Sequence, residues 1–315
     1  MEVRWSYGKI LQHQKLSPSL FLGYVLALSA AALAALMHVI PKPLLDSNQG
    51  TIELNPIVLA FIIYIMNGLL FTPLARKSPS IKKIEKKNLF FLLLIGLAEV
   101  SAMITYFFGL KDSTATNGAI LSNSEILFSI LIAVIIYREK LKKRERTPFS
   151  IIIIGLIAIP VGNDFYYNGM VLTKLVMGDL LILLSGLFYA LDINICKYVT
   201  DRLDSKRMTQ ITSFASGGFA LCLILLLQIP LEISLSHMPG IIITGIAGTA
   251  MSAFFFVIAL RLIGTIRTIL LYSTGSIFGI IFSAIFLSET ITLLNVISIA
   301  LVLIGLYLLR NRLGE

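Results

Sequence analysis

The feature that most constrains this sequence is a series of apolar runs, each close to the length of a helix that crosses a lipid bilayer. About 20 consecutive apolar residues cover the hydrocarbon core in helical form. Such runs recur along nearly the whole chain of 315 residues, and the connectors between them are short. We predict ten spans, at 20–40, 57–75, 88–110, 116–137, 148–166, 175–198, 208–230, 238–260, 265–287 and 291–309. The sequence therefore predicts an all-α integral membrane protein with little mass outside the bilayer.

The charged residues report on topology rather than on a nucleic-acid partner. Only 14% of residues are charged and 57% are hydrophobic, yet the formal net charge is +9. Of the 26 lysines and arginines, 23 fall in the N-terminal tail, the even-numbered connectors and the C-terminus, and only Lys42, Lys111 and Lys174 fall on the other side. Because cytoplasmic segments of membrane proteins carry the excess of positive charge, both termini are predicted to be cytoplasmic. We expect a multi-pass protein of the plasma membrane, with the lipid bilayer as a partner and no nucleic acid.

The chain contains an internal repeat. A shift of 150 places YREKLKKRERTPFSIIIIG over LSETITLLNVISIALVLIG, with Glu139 on Glu289 and Gly155 on Gly305. A shift of 155 carries the first span onto the sixth and places Gly23 on Gly178. Self-similarity of this kind indicates a duplicated structural unit. We predict a cytoplasmic tail, 1–17, followed by two five-span halves, 18–160 and 173–313.

Five spans in each half predict that the two halves have opposite orientations. The first half begins in the cytoplasm and ends outside, so the second half begins outside. Equivalent spans then cross the bilayer in opposite directions, related by a pseudo-two-fold axis in the membrane plane. Inverted repeats of this kind are typical of secondary transporters that work by alternating access.

The repeated glutamates, Glu139 and Glu289, are predicted at equivalent corners on opposite membrane faces. Each falls in the short turn between the fourth and fifth spans of its half. A carboxylate at this place can accept hydrogen bonds from the first N–H groups of the following helix and complement the helix dipole. We therefore predict a structural role for both, and no catalytic acid.

The two fourth-span segments carry a family resemblance. ATNGAILSNSEILFSILIAVIIYREKL and IRTILLYSTGSIFGIIFSAIFLSETI each combine small residues, an aromatic residue and a terminal glutamate. With ten spans in two halves, the chain resembles the drug/metabolite transporter superfamily, in its EamA-type branch. The resemblance implies a carrier, often an exporter of amino acids, other metabolites or drug-like amphiphiles, with a central cavity between the halves. Glu125 departs from the small-residue pattern of the fourth span.

Carboxyl groups inside the spans are candidates for the transport site, because they are costly to bury and usually face a cavity or a partner. Glu99 lies near the centre of the third span and Glu125 lies in the fourth. Counted from the outer turn, both lie about 15–20 Å down their helices at 1.5 Å per residue. Two neighbouring buried carboxylates resist joint ionisation, so we predict that the pair binds a proton or a cationic substrate group. The alternative is that they only hydrogen-bond neighbouring helices.

Other residues are predicted to line the same cavity. Tyr106 shares a helix face with Glu99, Tyr189 shares one with Asp192, and the repeat places Tyr272 and Thr274 opposite the polar group around Asn123. Packing between helices is the alternative role for the aromatic residues. The full set of further candidates is Asp192, Tyr106, Ser122, Asn123, Tyr189, Tyr272 and Thr274.

Two other classes of protein were weighed against a carrier. A channel or facilitator would favour symmetry about the membrane normal. An intramembrane aspartyl enzyme would need two facing aspartates, but Asp179 and Asp192 lie 13 residues apart on one span, about 20 Å. No ATP-binding, metal-binding or nucleophile motif stands out, so we expect no cofactor, a small-molecule substrate, a proton as the coupling ion, and a monomer or homodimer.

Overall fold

The computed structural model describes residues 18–46, 53–81, 84–136, 138, 142–165, 173–200 and 203–310. All regular elements in these ranges are helical. Within these ranges, and with directly successive helices taken together, eight helical segments are long and apolar enough to cross a membrane, and Leu293–Leu308 forms a shorter apolar helix. Large apolar side chains such as Phe21, Phe90 and Ile135 are exposed on the bundle surface, as expected where lipid is the solvent. The predicted tail 1–17 and Glu139 lie outside the described residues.

Among the described residues, the first half of the chain forms seven α-helices. They are α1 (Pro18–Val39), α2 (Pro41–Leu45), α3 (Pro56–Leu74), α4 (Lys86–Asp112), α5 (Ala115–Leu121), α6 (Ser124–Ile135) and α7 (Lys143–Ile157). A 3₁₀ turn, Ala75–Lys77, follows α3, and a π-helical segment, Ala158–Phe165, continues α7. The short helix α2 lies in what the sequence predicted to be a plain connector.

The second half also forms seven α-helices. They are α8 (Lys174–Thr200), α9 (Ser205–Leu226), α10 (Met238–Ile242), α11 (Ser252–Ile263), α12 (Thr265–Tyr272), α13 (Gly275–Leu287) and α14 (Leu293–Leu308). A 3₁₀ turn, Leu235–His237, precedes α10, and a π-helical segment, Ile243–Met251, joins α10 to α11.

The fourth and ninth predicted spans are each interrupted by a short turn, at residues 122–123 and 273–274. The structure divides the fourth span into α5 and α6 and the ninth into α12 and α13. Polar side chains at the divisions bond carbonyls of the preceding turn: Asn123 Nδ2 donates to Ile120 O (2.9 Å) and Thr274 Oγ1 donates to Leu271 O (2.5 Å). Such bonds compete with the helical backbone ladder, which explains why the helices stop at these points.

The divided spans pack differently on their two sides. The half-helix α5 packs against α13, whereas α6 packs against α8 and α7, and α12 packs against α1 and α11. Among the described residues, α6 and α12 share no substantial contact. The divided spans therefore cross at α5 and α13 and separate at α6 and α12.

Repeat-related glycines lie at close helix contacts. A Cβ on Gly155 in α7 would lie 2.9 Å from the Ser298 carbonyl oxygen in α14, and a Cβ on Gly305 in α14 would lie 2.9 Å from the Pro148 carbonyl oxygen in α7. Each glycine thus lets the partner backbone approach, in the manner of small-residue contacts in membrane bundles. Gly178 similarly packs α8 against the backbone at the end of α4.

The connectors assemble at two ends of the bundle. Lys42 Nζ donates to the carbonyl oxygens of Leu110 (3.1 Å) and Lys111 (2.8 Å), and Lys111 forms an ion pair with Glu53. We refer to this end, which holds residues 40–46, 53–55, 110–115, 173–175 and 287–292, as the predicted outer end. At the opposite end, Arg207 donates to the Ala75 carbonyl oxygen at 2.7 Å.

Candidate functional site

Three carboxyl groups from three helices approach one another near the middle of the bundle. Asp192 on α8 lies within electrostatic range of both Glu99 on α4 and Glu125 on α6. Helix α8 packs against α4 and against α6, which brings the three side chains together. All three are half-buried. Glu99 and Glu125 belong to the first half of the chain and Asp192 to the second, so the cluster lies between the halves.

The neighbours of these carboxyls are neutral. Ser216 Oγ in α9 lies 2.9 Å from Glu99 Oε2, and Cys196 Sγ donates to Asp192 Oδ1 at 3.2 Å. Among the described side chains, no lysine or arginine forms an ion pair with any of the three, and no group of His, Cys, Asp and Glu is arranged to hold a metal ion. Lys197 lies five positions after Asp192 on α8, and its side chain lies outside the described residues.

Tyrosines surround the carboxyl cluster. Tyr189 on α8 lies in electrostatic range of Glu99, Glu125 and Asp192, and also of Tyr272. The Tyr272 ring packs edge-on against Phe256, with ring centroids 4.8 Å apart. Tyrosine rings combine an apolar body with a polar tip, so this surrounding suits a ligand that is partly apolar.

Tyr64 on α3 also reaches the cluster, since it lies in range of Glu99, Tyr189 and Asp192. Tyr64 was not among the predicted site residues. Its depth within the second span could have suggested a place near the cluster. The direction of its side chain, however, depends on how α3 packs against the other helices.

Tyr106 lies in electrostatic range of Tyr189, but it bonds a residue outside the carboxyl cluster. It was predicted to share the face of Glu99, yet its hydroxyl lies 2.5 Å from Nδ1 of His38 on α1. Tyr106 is also close to Gly118 of α5, toward the predicted outer end. The two residues lie seven positions apart on α4, and the tyrosine side chain is long enough to bond the neighbouring helix instead.

The polar residues at the helix divisions join the two halves directly. Asn123 Nδ2 donates to Ser276 Oγ at 2.6 Å, which links the fourth span to the ninth. The hydroxyl of Ser122 donates to the Ala119 carbonyl oxygen (3.0 Å), and that of Thr274 donates to its own helix. The division therefore lies at the depth of Glu125, which is the second residue of α6.

A buried polar network at the predicted outer end was missed by the sequence reasoning. Asn117 Nδ2 donates to both oxygens of Asp179 (3.1 and 3.2 Å), Ser113 Oγ donates to Asp179, and Asn295 Nδ2 donates to Asn117 Oδ1 at 3.2 Å. Asp179 is fully buried. The available signal was a polar residue just inside the ends of several spans at a common depth. The network ties the first half to the second at this end.

Glu289 caps a helix, but not the one predicted. Its Oε1 accepts the N–H of Ala115 (2.8 Å), and its Oε2 accepts the N–H of Thr116 (2.9 Å) and the Thr116 hydroxyl (2.7 Å). The prediction that it caps the next helix, α14, is wrong, because Thr292 and Asn295 form the capping box of α14 themselves. Glu289 instead caps α5, which belongs to the other half.

Two cavities adjoin these features. One of about 390 Å³ lies at the predicted outer end, where Thr116, Asn117, Glu289 and Asn295 contribute to its wall. A second, of about 360 Å³, opens on the bundle surface between α4, α8 and α9. The carboxyl cluster lines neither of them.

Comparison with known proteins gives a consistent result. The EamA-like transporter family matches the chain twice, over residues 21–160 and 176–311. A protein of Methanothermobacter thermautotrophicus, described as an uncharacterized transporter, is 27% identical over 301 residues, which is 91% of this chain and 85% of that protein. A solved crystal structure aligns with a TM-score of 0.63 at 14% identity, covering 93% of this chain and 99% of the other. At that identity the solved structure supports the fold alone.

Proposed function

This chain belongs to the EamA-like transporter family, and from that premise we propose that it is a secondary transporter working by alternating access. It is a multi-pass membrane transporter rather than an enzyme. In our proposal the ten spans form two inverted five-helix repeats, 18–160 and 173–313, and the substrate crosses between them. The gradient of the substrate or of a coupling ion supplies the energy.

The pattern of helix contacts supports the inverted arrangement. If equivalent spans are exchanged between the halves, the contact of α4 with α8 becomes that of α11 with α1. The contact of α6 with α8 becomes that of α13 with α1. All four contacts occur. The contacts of α3 with α9 and of α7 with α14 convert into themselves. The contact of α5 with α13 converts into that of α12 with α6, which share no substantial contact among the described residues. A two-fold relation between the halves accounts for the matched contacts, and the unmatched one distinguishes the two ends of the bundle.

A central path is supported by the divided spans. They meet where α5 packs against α13 and separate where α6 and α12 lie against different neighbours. Divided helices near the middle of the bilayer commonly form the substrate site in secondary transporters. We infer that the site lies at the division, beside Glu125, with access from the predicted inner end.

The observation that carries the proposal is the cluster of Glu99, Glu125 and Asp192 between the halves. Three carboxyl groups without a basic partner among the described side chains cannot all be ionised at membrane depth without a large cost. They therefore hold protons, or the cationic group of a bound substrate, and exchange one for the other. We propose Glu125, assisted by Glu99, as the main proton- or cation-binding residue.

The contacts of Glu99 fit this protonated state. Ser216 Oγ lies within hydrogen-bond distance of three oxygens: Glu99 Oε2 (2.9 Å), Gly96 O (3.0 Å) and Thr212 O (2.8 Å). A serine hydroxyl has one proton and can donate to only one acceptor fully. If Ser216 donates to a backbone carbonyl, a protonated Glu99 donates to Ser216 in turn, and each group is satisfied.

The substrate proposed is a small metabolite, such as an amino acid, or a drug-like amphiphile, and the proposed direction is export from the cytoplasm across the plasma membrane. Tyr189 and Tyr272 beside the carboxyls suit a compound with an apolar part and an amino group. Proton entry in exchange for substrate exit would drive export.

The test is flux through the purified protein in proteoliposomes over a panel of metabolites. A carrier shows saturable uptake and counterflow, in which unlabelled internal substrate accelerates entry of labelled substrate. A channel or facilitator shows neither saturation at similar concentrations nor counterflow. Counterflow with no member of a broad panel, from protein shown to be folded, would contradict the proposal.

A further inference from the structure

The N-terminus of α5 is completed by a residue from the other half of the chain. An α-helix leaves its first four N–H groups without intrahelical partners. In α5 the first intrahelical bond is that from Gly118 N–H to Thr114 O (2.9 Å), and the Asn117 N–H before it donates to Thr114 Oγ1 (3.0 Å). The N–H groups of Ala115 and Thr116 also have no intrahelical partner, and they donate to the Glu289 carboxylate. Thr114 and Glu289 therefore share the capping of α5.

The chain is bent to bring Glu289 to this place. Ser288 ends α13 with a left-handed backbone, φ 55° and ψ 29°. A non-glycine residue in this region is uncommon and carries a conformational cost, so the surrounding contacts must hold it. The Glu289 contacts with Ala115 and Thr116, both buried, provide that hold. Loss of the carboxylate would leave two buried N–H groups without partners, which costs more than an ordinary hydrogen bond.

The Glu289 contact is part of the closure of the predicted outer end. Alongside it, Asn117 is bonded to Asp179 and to Asn295, which again joins the first half to the second. At the predicted inner end α6 and α12 lie apart. The contact between α7 and α14 is different in kind, since glycines bring the two backbones together there. Polar contacts can be replaced by water when an end opens, whereas tight backbone packing cannot.

We propose that Glu289 is a positioning residue of the transport cycle. It holds the predicted outer end closed, because it lies in the second half of the chain and caps α5 in the first half. Opening toward the outer face then requires the carboxylate to leave the Ala115 and Thr116 N–H groups. This inference rests on the proposed alternating access. It assigns to Glu289 control of the balance between the two open states rather than contact with the substrate.

The experiment measures accessibility at two reporter cysteines in a background without the native ones (Cys196→Ser and Cys222→Ala). Ser276→Cys lies at the helix division on the α13 side, and Ser129→Cys lies on α6, one turn beyond Glu125 toward the predicted inner end. Both are labelled with a membrane-impermeant thiol reagent in vesicles of each orientation. In Glu289→Gln we expect about tenfold faster labelling of Ser276→Cys from the outer face, equal to about 1.4 kcal/mol, and slower labelling of Ser129→Cys from the inner face.

Glu145→Gln is the matched control. Glu145 Oε2 accepts the Lys142 N–H at 2.8 Å, so it caps its own helix, α7, within one half. Labelling at both reporters should be unchanged in this variant. Thr116→Val keeps the backbone N–H bond to Glu289 but removes the hydroxyl, which contacts Glu289 Oε2 and Ser283 Oγ (both 2.7 Å), and should shift labelling in the same direction as Glu289→Gln, but less. It keeps the test decisive if Glu289→Gln does not fold.

The expected changes in labelling are opposite at the two reporter cysteines, and this distinguishes the possible results. Faster labelling of both reporters from both faces would mean that Glu289 only stabilises the bundle, and unchanged labelling would mean that it does not hold the outer end closed; either result overturns the inference. Failure of the proposed function looks different. In that case a substrate identified by the flux assay does not change the labelling rate of either reporter cysteine, whether position 289 is glutamate or glutamine.

Discussion

At the residue scale, Glu125 is placed where both of its protonation states can be supported. It lies in the first turn of α6, where the helix dipole favours a negative charge. It also lies in range of the Asp192 carboxyl, which disfavours a second charge nearby. Opposing influences of this kind suit a group that gains and loses a proton as the site is filled and emptied. The nearby Glu99 is held more firmly, by Ser216.

We expect Glu125→Gln to remove proton coupling while leaving the fold intact, because glutamine keeps the shape and hydrogen bonding but does not titrate. A pH gradient of one unit supplies about 1.4 kcal/mol per coupled proton, a tenfold accumulation. In proteoliposomes with such a gradient, that accumulation should disappear in Glu125→Gln, while counterflow exchange persists.

Glu85→Gln is the control for this prediction, since Glu85 is exposed and makes no side-chain cap of α4. It should accumulate substrate as the unmodified protein does. Unmodified rates and pH profiles in both Glu125→Gln and Glu99→Gln would show that these carboxyls only hold helices together.

At the element scale, backbone proximity and helix caps decide which helices stay together. Gly155 and Gly305, which the repeat places at equivalent positions, bring α7 and α14 into close contact at two places. Caps act at the helix ends: Asp204 accepts the N–H groups of Lys206 (2.9 Å) and Arg207 (3.4 Å) at the start of α9. It also accepts the Ser78 hydroxyl at 2.8 Å, which ties α9 to the connector after α3.

Gly155→Ala should destabilise the protein by about 1–3 kcal/mol, the range for overpacked sites. Its Cβ would lie 2.9 Å from the Ser298 carbonyl oxygen and 3.0 Å from Val302 Cγ2, so α7 and α14 must separate. Gly218→Ala in α9 is the control, since a Cβ there meets nothing within 4 Å and alanine favours the helix. Thermal unfolding in detergent compares the two. Equal midpoints would contradict the proposed contact.

Asp204→Ala should lower stability by about 1 kcal/mol or less, as for an exposed N-cap. The Ser78 hydroxyl, followed by the backbone N–H groups of Arg207 and Lys206, holds the pKa of Asp204 below its usual value. A lowered pKa in the folded state means that this contribution is present above about pH 3.9, where a free aspartate ionises, and is lost as the pH falls further. The difference in unfolding midpoint between the two proteins should therefore shrink as the pH falls from 7 to below 3.9. A difference that grows on acidification would reverse the assigned sign.

At the scale of the whole molecule, the charge distribution and the helix contacts favour one topology. The lysines at 42, 111 and 174 are those predicted to lie outside, and the structure brings the connectors that contain them to one end. Most of the large helix contacts convert into one another when the halves are exchanged, and that of α5 with α13 is the exception. Both properties are expected of the proposed arrangement, in which two five-span units cross the bilayer in opposite directions.

Cysteines introduced at Lys174 and Lys142 test this topology. An impermeant thiol reagent added to intact cells should label Lys174→Cys, and should label Lys142→Cys only after the membrane is opened, because the two sites are predicted on opposite faces. The background lacks both native cysteines, so that only the introduced thiols react. External labelling of both sites to the same extent would contradict the inverted repeats.

The sequence by itself determined the helical membrane fold, the family and the duplicated unit, because a chain in lipid must satisfy its backbone within helices and the run lengths are therefore readable. It also identified Gly155 and Gly305, whose matched spacing marks a contact. Only the tertiary structure decided that Glu289 caps α5, that Tyr106 bonds His38, and that Asp192 joins Glu99 and Glu125. Helical periodicity tells which residues share a face of one span. It does not tell which other span that face meets, since this depends on how the two halves pack together.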